Sequence, residues 1–309
     1  MDMRLINHAT QPHELSAWDK TTIAKTWQQY YEDRGYGLWG FSPSPTAKIL
    51  SKAILDSNPR RSERVEIVDW GCGYGRDSLY FLELGFDVIG IDLSEKAIAL
   101  AREAYKQRQA SGIPLFGNAS FHSGDICSVF KSRVGQKVDA FFSNRVLHLL
   151  SETDFCDAAR NAISYSEQGA YFCVSGRSPD DFNAALMEWI PGRENDVARY
   201  KDPARTGHDI AFVTKQRLLR TVGQDLENMH YLSAAEPERV GAPDTHLLIL
   251  LGQTRSEPQK NPCSRQSKRG QESQWASFEE QSSVMLANST ISQNACTARA
   301  GGPTPSSGR

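Results

Sequence analysis

The sequence predicts an α/β fold: one doubly wound, Rossmann-like domain with a seven-stranded, mostly parallel sheet and helices on both faces. Three observations predict it. Short runs rich in Val, Ile and Phe alternate with helix-spaced segments between residues 65 and 251, the pattern of a parallel sheet covered on both sides. Glycines at alternate positions, Gly71, Gly73 and Gly75, follow the first such run at once. An acid, Asp92, closes the second. In open sheets of this kind ligands bind outside the carboxyl ends of the strands, where the strand order reverses. That places the expected site at strand one and the glycine loop behind it.

Each element has a local reason. Residues 65–69 (VEIVD) form a short apolar run ending in glycine and read as a buried strand. Residues 76–84 group Leu79, Phe81 and Leu82 at helical spacing, and Gly85 stops them because glycine tolerates the left-handed backbone of a helix end. Strand two covers 87–91, and a helix over 94–109 takes Ser94 as its N-cap with Ala97, Ile98, Leu100, Ala101 and Ala104 inward. Strands three, four and five are expected at 119–122, 138–142 and 170–174, with a helix at 152–165 between the last two. A helix at 214–222 precedes strands six and seven at 229–232 and 245–251. Ahead of the sheet, 14–33 reads as a helix, followed by a Gly, Pro and aromatic loop.

The expected organisation is an N-terminal helix and cover loop over 1–45 and the α/β domain over 46–254, with 176–210 inserted for substrate recognition. From residue 255 to 309 the chain turns to Ser, Gln, Asn, Gly and Pro with little apolar periodicity, so a disordered tail is expected. A net charge of −2 and a pI near 6.4 give no electrostatic reason for nucleic-acid binding. No stretch approaches the roughly 18 apolar residues of a membrane span, and the N-terminus lacks an apolar leader core. A cytoplasmic protein is therefore expected, with its six cysteines reduced, since none forms a C-x-x-C pair, and with no metal site.

The glycine loop carries the functional signal. In Asp69-Trp70-Gly71-Cys72-Gly73-Tyr74-Gly75-Arg76 the glycines let the backbone turn tightly and a ligand approach closely. The helix behind them offers free N–H groups to an anion. A dinucleotide fingerprint has the spacing G-x-G-x-x-G, and here Arg76 stands where its third glycine would fall. Asp92 is placed to accept both hydroxyls of a ribose, and Asp125 to accept an exocyclic adenine amine, with Leu93 and Ile126 beside them. Asp69 suits an ammonium group. Together these residues describe a ligand with an amine, two hydroxyls and an adenine.

The run VEIVDWGCGYGRDSLYFLELGFDVIGIDLS resembles the first two motifs of class I S-adenosylmethionine-dependent methyltransferases. It is nearest the branch holding tellurite-resistance and thiopurine-type thiol methyltransferases, which share G-x-G-x-G-R-[DN]-S-L-Y, here Gly71 to Tyr80. Ser143 to Leu150 resembles the motif after strand four, Thr245 to Gly252 the final strand, and Tyr30 to Ser44 the N-terminal cover. The resemblance implies S-adenosylmethionine as cofactor, bound by Trp39, Asp69, Gly71, Cys72, Gly73, Gly75, Arg76, Asp92, Leu93, Asp125, Ile126 and Asn144. It implies methyl transfer to a small molecule, with a thiol or other soft nucleophile favoured by the branch alone. Candidates near the reacting groups are His148, Tyr30 and His208, and candidates for the substrate are Arg145, Arg199 and Tyr200. Three alternatives stay open: an O- or N-methyltransferase of a specialised metabolite, a nicotinamide-dependent oxidoreductase, and a non-catalytic S-adenosylmethionine-binding protein. Neither oligomeric state nor acceptor is legible.

Overall fold

The computed structural model describes residues 20–36, 40–57, 64–125, 137–183, 185–192, 196–201, 209–236 and 244–255. The main sheet is built from β1 (Glu66–Trp70), β2 (Asp87–Asp92), β3 (Ala119–Ser123), β4 (Val138–Ser143), β5 (Ser166–Arg177), β9 (Leu226–Glu236) and β10 (Thr245–Thr254). Its order is β3-β2-β1-β4-β5-β10-β9. Strands β1 to β5 pair in parallel, and β10 runs antiparallel between β5 and β9. The expected seven-stranded, mostly parallel sheet is the observed one. Its order reverses at β1, which has β2 on one side and β4 on the other.

Alternation of side chains along the strands supplies the two covered faces. Phe141 and Phe142 on β4 point opposite ways. Phe141 stacks on Phe172 at 5.1 Å and lies against Trp70. That cluster is closed by Phe155, Ala159 and Ala162 of α5 (Glu152–Ser164) and by Leu218 and Val222 of α6 (Lys215–Val222). Phe142 instead meets Phe81 of α3 (Arg76–Glu83) edge-on at 5.0 Å. On that second face α2 (Pro45–Ser57) joins α3 through a 3.0 Å hydrogen bond between the Ser51 and Tyr80 hydroxyls. The helix α4 (Glu95–Ala110) follows β2 and carries α1 (Lys20–Arg34) against it.

The expected caps are present. Ser94 accepts the Ala97 N–H at 3.1 Å with its hydroxyl, as an N-cap does. At the end of α3 the Gly85 N–H reaches the Leu82 carbonyl and the Phe86 N–H the Phe81 carbonyl. With Gly85 at φ +86° and Phe86 packed on Phe81, this is a complete Schellman motif.

Three features depart from the sequence reading. Helix α2 was not expected, although Ser44 caps it through the Ala47 N–H and Pro45 occupies its first turn. Strands β5, β9 and β10 run past their apolar cores, because antiparallel pairing with β10 gives hydrogen bonds to polar positions as far as Arg177, Glu236 and Thr254. The connection after β5 holds a second, three-stranded sheet of β6 (Met187–Trp189), β7 (Val197–Tyr200) and β8 (Ile210–Ala211). Helix α1 is described from Lys20, so residues 14–19 of the expected helix lie outside the described residues, as does everything beyond Arg255. Among the described residues no helix is long and apolar enough to cross a membrane.

Gly85→Ala tests the Schellman turn. A Cβ there has room, its nearest neighbour being the Phe116 Cβ at 3.5 Å, so the cost is the left-handed backbone, about 1–2 kcal/mol. Chemical denaturation should show a loss of that size, and an unchanged midpoint would remove the turn from the helix-stopping role.

Candidate functional site

At the carboxyl ends of β1, β2 and β4 the described residues form a pocket. Its floor is the glycine loop. Gly71 has φ +73°, and a Cβ there would lie 2.1 Å from the Val146 Cγ2. Gly73 has φ +55°, and its Cβ would lie 2.6 Å from the Tyr31 hydroxyl. The sequence reading took these glycines as room for a ligand; the structure also uses their missing side chains to bring Val146 and Tyr31 onto the loop. Gly75 does not line the pocket. It caps α3, and a Cβ there would lie 3.3 Å from the Ala101 Cβ, so its missing side chain lets α3 close on α4.

Asp92 ties the loop to the second strand. One carboxylate oxygen accepts the Gly73 N–H at 3.0 Å and the other the Ser94 N–H at 2.9 Å. Each oxygen keeps a further lone pair for another donor. Burial pushes the Asp92 carboxyl up, and those two N–H groups pull against the shift. Asp69 is more deeply placed and accepts the Ser78 hydroxyl at 2.5 Å. Burial above all, then the neighbouring Asp77 carboxylate, pushes its carboxyl up to about 8. Burial likewise pushes up the Tyr31 hydroxyl and the Cys72 thiol.

Of the cofactor candidates, Asp69, Gly71, Cys72, Gly73, Arg76, Asp92, Leu93, Asp125 and Asn144 all line this one pocket. Trp39 and Ile126 lie outside the described residues. The Arg76 guanidinium donates to Glu236 at 2.8 Å and to Asp77 at 3.3 Å. Asn144 is fixed by the Thr46 and Ser175 hydroxyls, which reach its side-chain oxygen at 2.8 and 2.6 Å.

His148 also lines the pocket, buried on a single 3₁₀ turn, Leu147–Leu149. Arg145 lines it from a left-handed backbone, φ +62°. The other candidates are elsewhere. Tyr30 packs beside Trp27 and under Arg34 rather than in the wall. Arg199 is exposed and grips Asp209 through two bonds of 2.7 and 3.0 Å. Tyr200 lies outside the lining, bonded by Arg177. His208 is outside the described residues.

The sequence reading missed Ile23, Trp27 and Tyr31, which line the pocket from α1. Their signal was their spacing of four, which puts all three on one helical face. Tyr74 was missed too. Its hydroxyl donates to the Gly40 carbonyl at 2.6 Å, and its ring meets Tyr31, Tyr36 and Phe41 edge-on. That cluster fastens residues 36, 40 and 41 to the glycine loop. Among the described residues, no three His, Cys, Asp or Glu side chains group as a metal site.

Comparison with known proteins agrees with this geometry. Residues 61–229, more than half of the chain, match a family model described as a methyltransferase domain. A probable S-adenosyl-L-methionine-dependent methyltransferase, TehB, of Haemophilus influenzae is 26% identical over 136 residues, 44% of each chain. The chain thus spans less than half the length of that curated relative. A ubiquinone biosynthesis O-methyltransferase of Acinetobacter baylyi is 20% identical over 226 residues, 71% of this chain and 86% of that one. Among solved structures, an S-adenosylmethionine-dependent methyltransferase of Methanosarcina mazei superposes with a TM-score of 0.52 at 19% identity, covering 65% of this chain and 98% of its own. The magnesium protoporphyrin IX methyltransferase of Synechocystis with bound S-adenosylmethionine does so at 0.50 and 16%, covering 77% and 97%. At these identities the superpositions speak for the fold. The chain belongs to the methyltransferase-domain family.

Asp69 makes stability depend on pH with a definite sign. Its carboxyl titrates at about 8 in the fold and near 4 in an unfolded chain. Between those values the folded state holds a proton that the unfolded state has lost, so this contribution falls as pH rises, by at most about 1.4 kcal/mol per unit. Urea melts at pH 5, 6.5 and 8 should show wild type losing stability relative to Asp69→Asn with rising pH. A difference independent of pH would show that Asp69 is ionised throughout.

Proposed function

We propose that this chain is a small-molecule methyltransferase that binds S-adenosylmethionine in the pocket at β1, β2 and β4. The observation that carries the reading is one wall holding Asp69, Asp92 and Asp125 around a glycine loop. The acceptor set fits the cofactor. Asp92 has one lone pair on each oxygen beyond its backbone N–H bonds, which suits two ribose hydroxyls. Asp125 serves the adenine amine. Asp69 serves the ammonium, which offsets the burial that otherwise keeps its carboxyl protonated. Leu93 flanks the ring on one side, and Ile126 completes that edge as an expectation from sequence. Ile23, Trp27 and Tyr31 cover the site and exclude water.

When bound, the cofactor supplies a methyl group on a sulfonium, already activated for transfer to a lone pair aligned behind it. The chain then has to orient the acceptor and keep water out, and alignment alone is worth a large share of the barrier. We assign a thiol or other soft anion as acceptor. Support comes from the resemblance to the thiol branch and from the wall itself. Burial pushes Tyr31 and Cys72 in the wall toward their neutral forms, so neither opposes an acceptor that brings its own negative charge. A second reading, an O- or N-acceptor, is favoured by buried His148 in the wall, which is a residue type able to take the proton such acceptors must lose. The relatives do not choose between them: one is named for ubiquinone O-methylation and one structure for a magnesium porphyrin.

Calorimetric titration tests the cofactor assignment. S-adenosylhomocysteine should bind wild type and lose roughly 10- to 100-fold in affinity to Asp92→Asn, the scale of charge-assisted hydrogen bonds of about 1.5–3 kcal/mol. Equal affinity in the two proteins would remove Asp92 from the site. A panel of thiol, amine and hydroxyl acceptors, read by S-adenosylhomocysteine formation, then separates the two acceptor readings. Turnover on thiols that survives His148→Ala supports the first; turnover confined to amines or hydroxyls and lost in that variant supports the second.

A further inference from the structure

Three buried charges from distant parts of the chain meet at one side of the pocket. Glu236, the last residue of β9, accepts the Arg76 guanidinium at 2.8 Å, and its second oxygen stands 3.8 Å from Arg145 Nη1. All three side chains are nearly withdrawn from solvent, at 3%, 11% and 13% exposure for Glu236, Arg76 and Arg145. Both arginines line the pocket; Glu236 stands behind them. The chain reaches Arg145 through a left-handed backbone, φ +62°, held by its N–H on the Ser175 carbonyl at 3.2 Å.

Neither feature is explained by stability. Buried ion pairs rarely outdo the apolar side chains that could replace them, and a non-glycine residue held left-handed carries a strain of order 1–3 kcal/mol that concentrates at ligand sites. The two legs of the cluster also differ. Arg76 is bound tightly and shares a second carboxylate, Asp77. Arg145 stands at ion-pair distance, 3.8 Å, from the other Glu236 oxygen and lines the pocket from its left-handed backbone.

We propose that Glu236 is a positioning residue that aims the Arg145 guanidinium into the pocket, and that Arg145 receives a carboxylate of a bound ligand, with Arg76 as the fixed anchor of the pair. The proposal rests on the pocket being the adenosyl-cofactor site. A carboxylate is available from two sources, the amino-acid end of the cofactor and an anionic acceptor. A planar guanidinium fits either by paired N–H···O bonds.

Calorimetry on the full chain separates these outcomes, using wild type, Glu236→Gln and Arg145→Gln. The probes are S-adenosylhomocysteine, 5′-methylthioadenosine (which lacks the amino-acid end) and benzoate added to the S-adenosylhomocysteine complex. If the carboxylate is the cofactor's, both variants lose at least about 10-fold for S-adenosylhomocysteine and keep 5′-methylthioadenosine. If it is the acceptor's, both keep the two adenosyl ligands and lose benzoate binding that wild type shows. Unchanged binding throughout overturns the proposal. So does an equal loss for both adenosyl ligands, which would mark the cluster as merely structural. Wild type that binds neither adenosyl ligand overturns the cofactor reading itself, a result distinct from an unchanged ratio between variants.

Discussion

The site is organised around one carboxylate accepting two backbone N–H groups. Asp92 takes Gly73 from the loop after β1 and Ser94 from the start of α4. The bonds fix the loop's height over the sheet and the angle at which α4 leaves β2. Ser94 then passes the constraint outward: its hydroxyl accepts the Ala97 N–H as a cap and donates to the Gln28 side-chain oxygen at 3.0 Å. The same Gln28 oxygen accepts the Lys96 N–H. A strand end, a turn, a helix start and the covering helix α1 are therefore joined through two side chains and one carboxylate. Disturbing Asp92 perturbs all four, which is why its amide is a better probe than its deletion.

Around that bond network a largely apolar wall holds several charged side chains mostly withdrawn from water, an arrangement that works against the stability of the free protein. Asp69 is buried next to Asp77 and keeps its proton to about pH 8. Arg76 and Glu236 are held in the same region as an ion pair. The apolar clusters on the two faces of the sheet, centred on Phe141 and Phe142, carry the compensating stability. This division of labour is physical: packing needs only shape and volume, whereas recognition of a small polar ligand needs fixed donors and acceptors in a low-dielectric setting.

The legible and illegible parts of the sequence divide along the range of the interactions involved. Strand β1, the glycine loop, Gly85, Ser94 and Asp92 each carry a signal within a few residues, set by backbone sterics and capping, and each stands where the local pattern put it. The small sheet β6–β8 has strands of two to four residues, too short for a period, and is held by Met187, Ala198, Ile210 and Phe212 from separated positions. Glu236 could not be found locally at all, because its partners Arg76 and Arg145 lie 160 and 91 positions away along the chain. Tyr30 and Tyr31 are adjacent aromatics, and only helical phase, read together with Ile23 and Trp27, distinguishes the one that faces the wall. Arg199 and Tyr200 were read as site residues from their chemistry, but the structure uses both in ion-pair and hydrogen-bond contacts within the insertion.

The contact between Gly71 and Val146 has a consequence for how this sequence is free to vary. The space a side chain would occupy at position 71 is already filled by a methyl of Val146, so the two positions form a single packing unit although 75 residues separate them. Relatives that keep the glycine can drift at position 146 only among side chains of similar bulk and branching, since a smaller one opens a void under the loop and a larger one displaces it. Because the φ of +73° strains any side chain at position 71 whatever the space, the mark this contact should leave is a fixed glycine and a narrow choice of residue at 146.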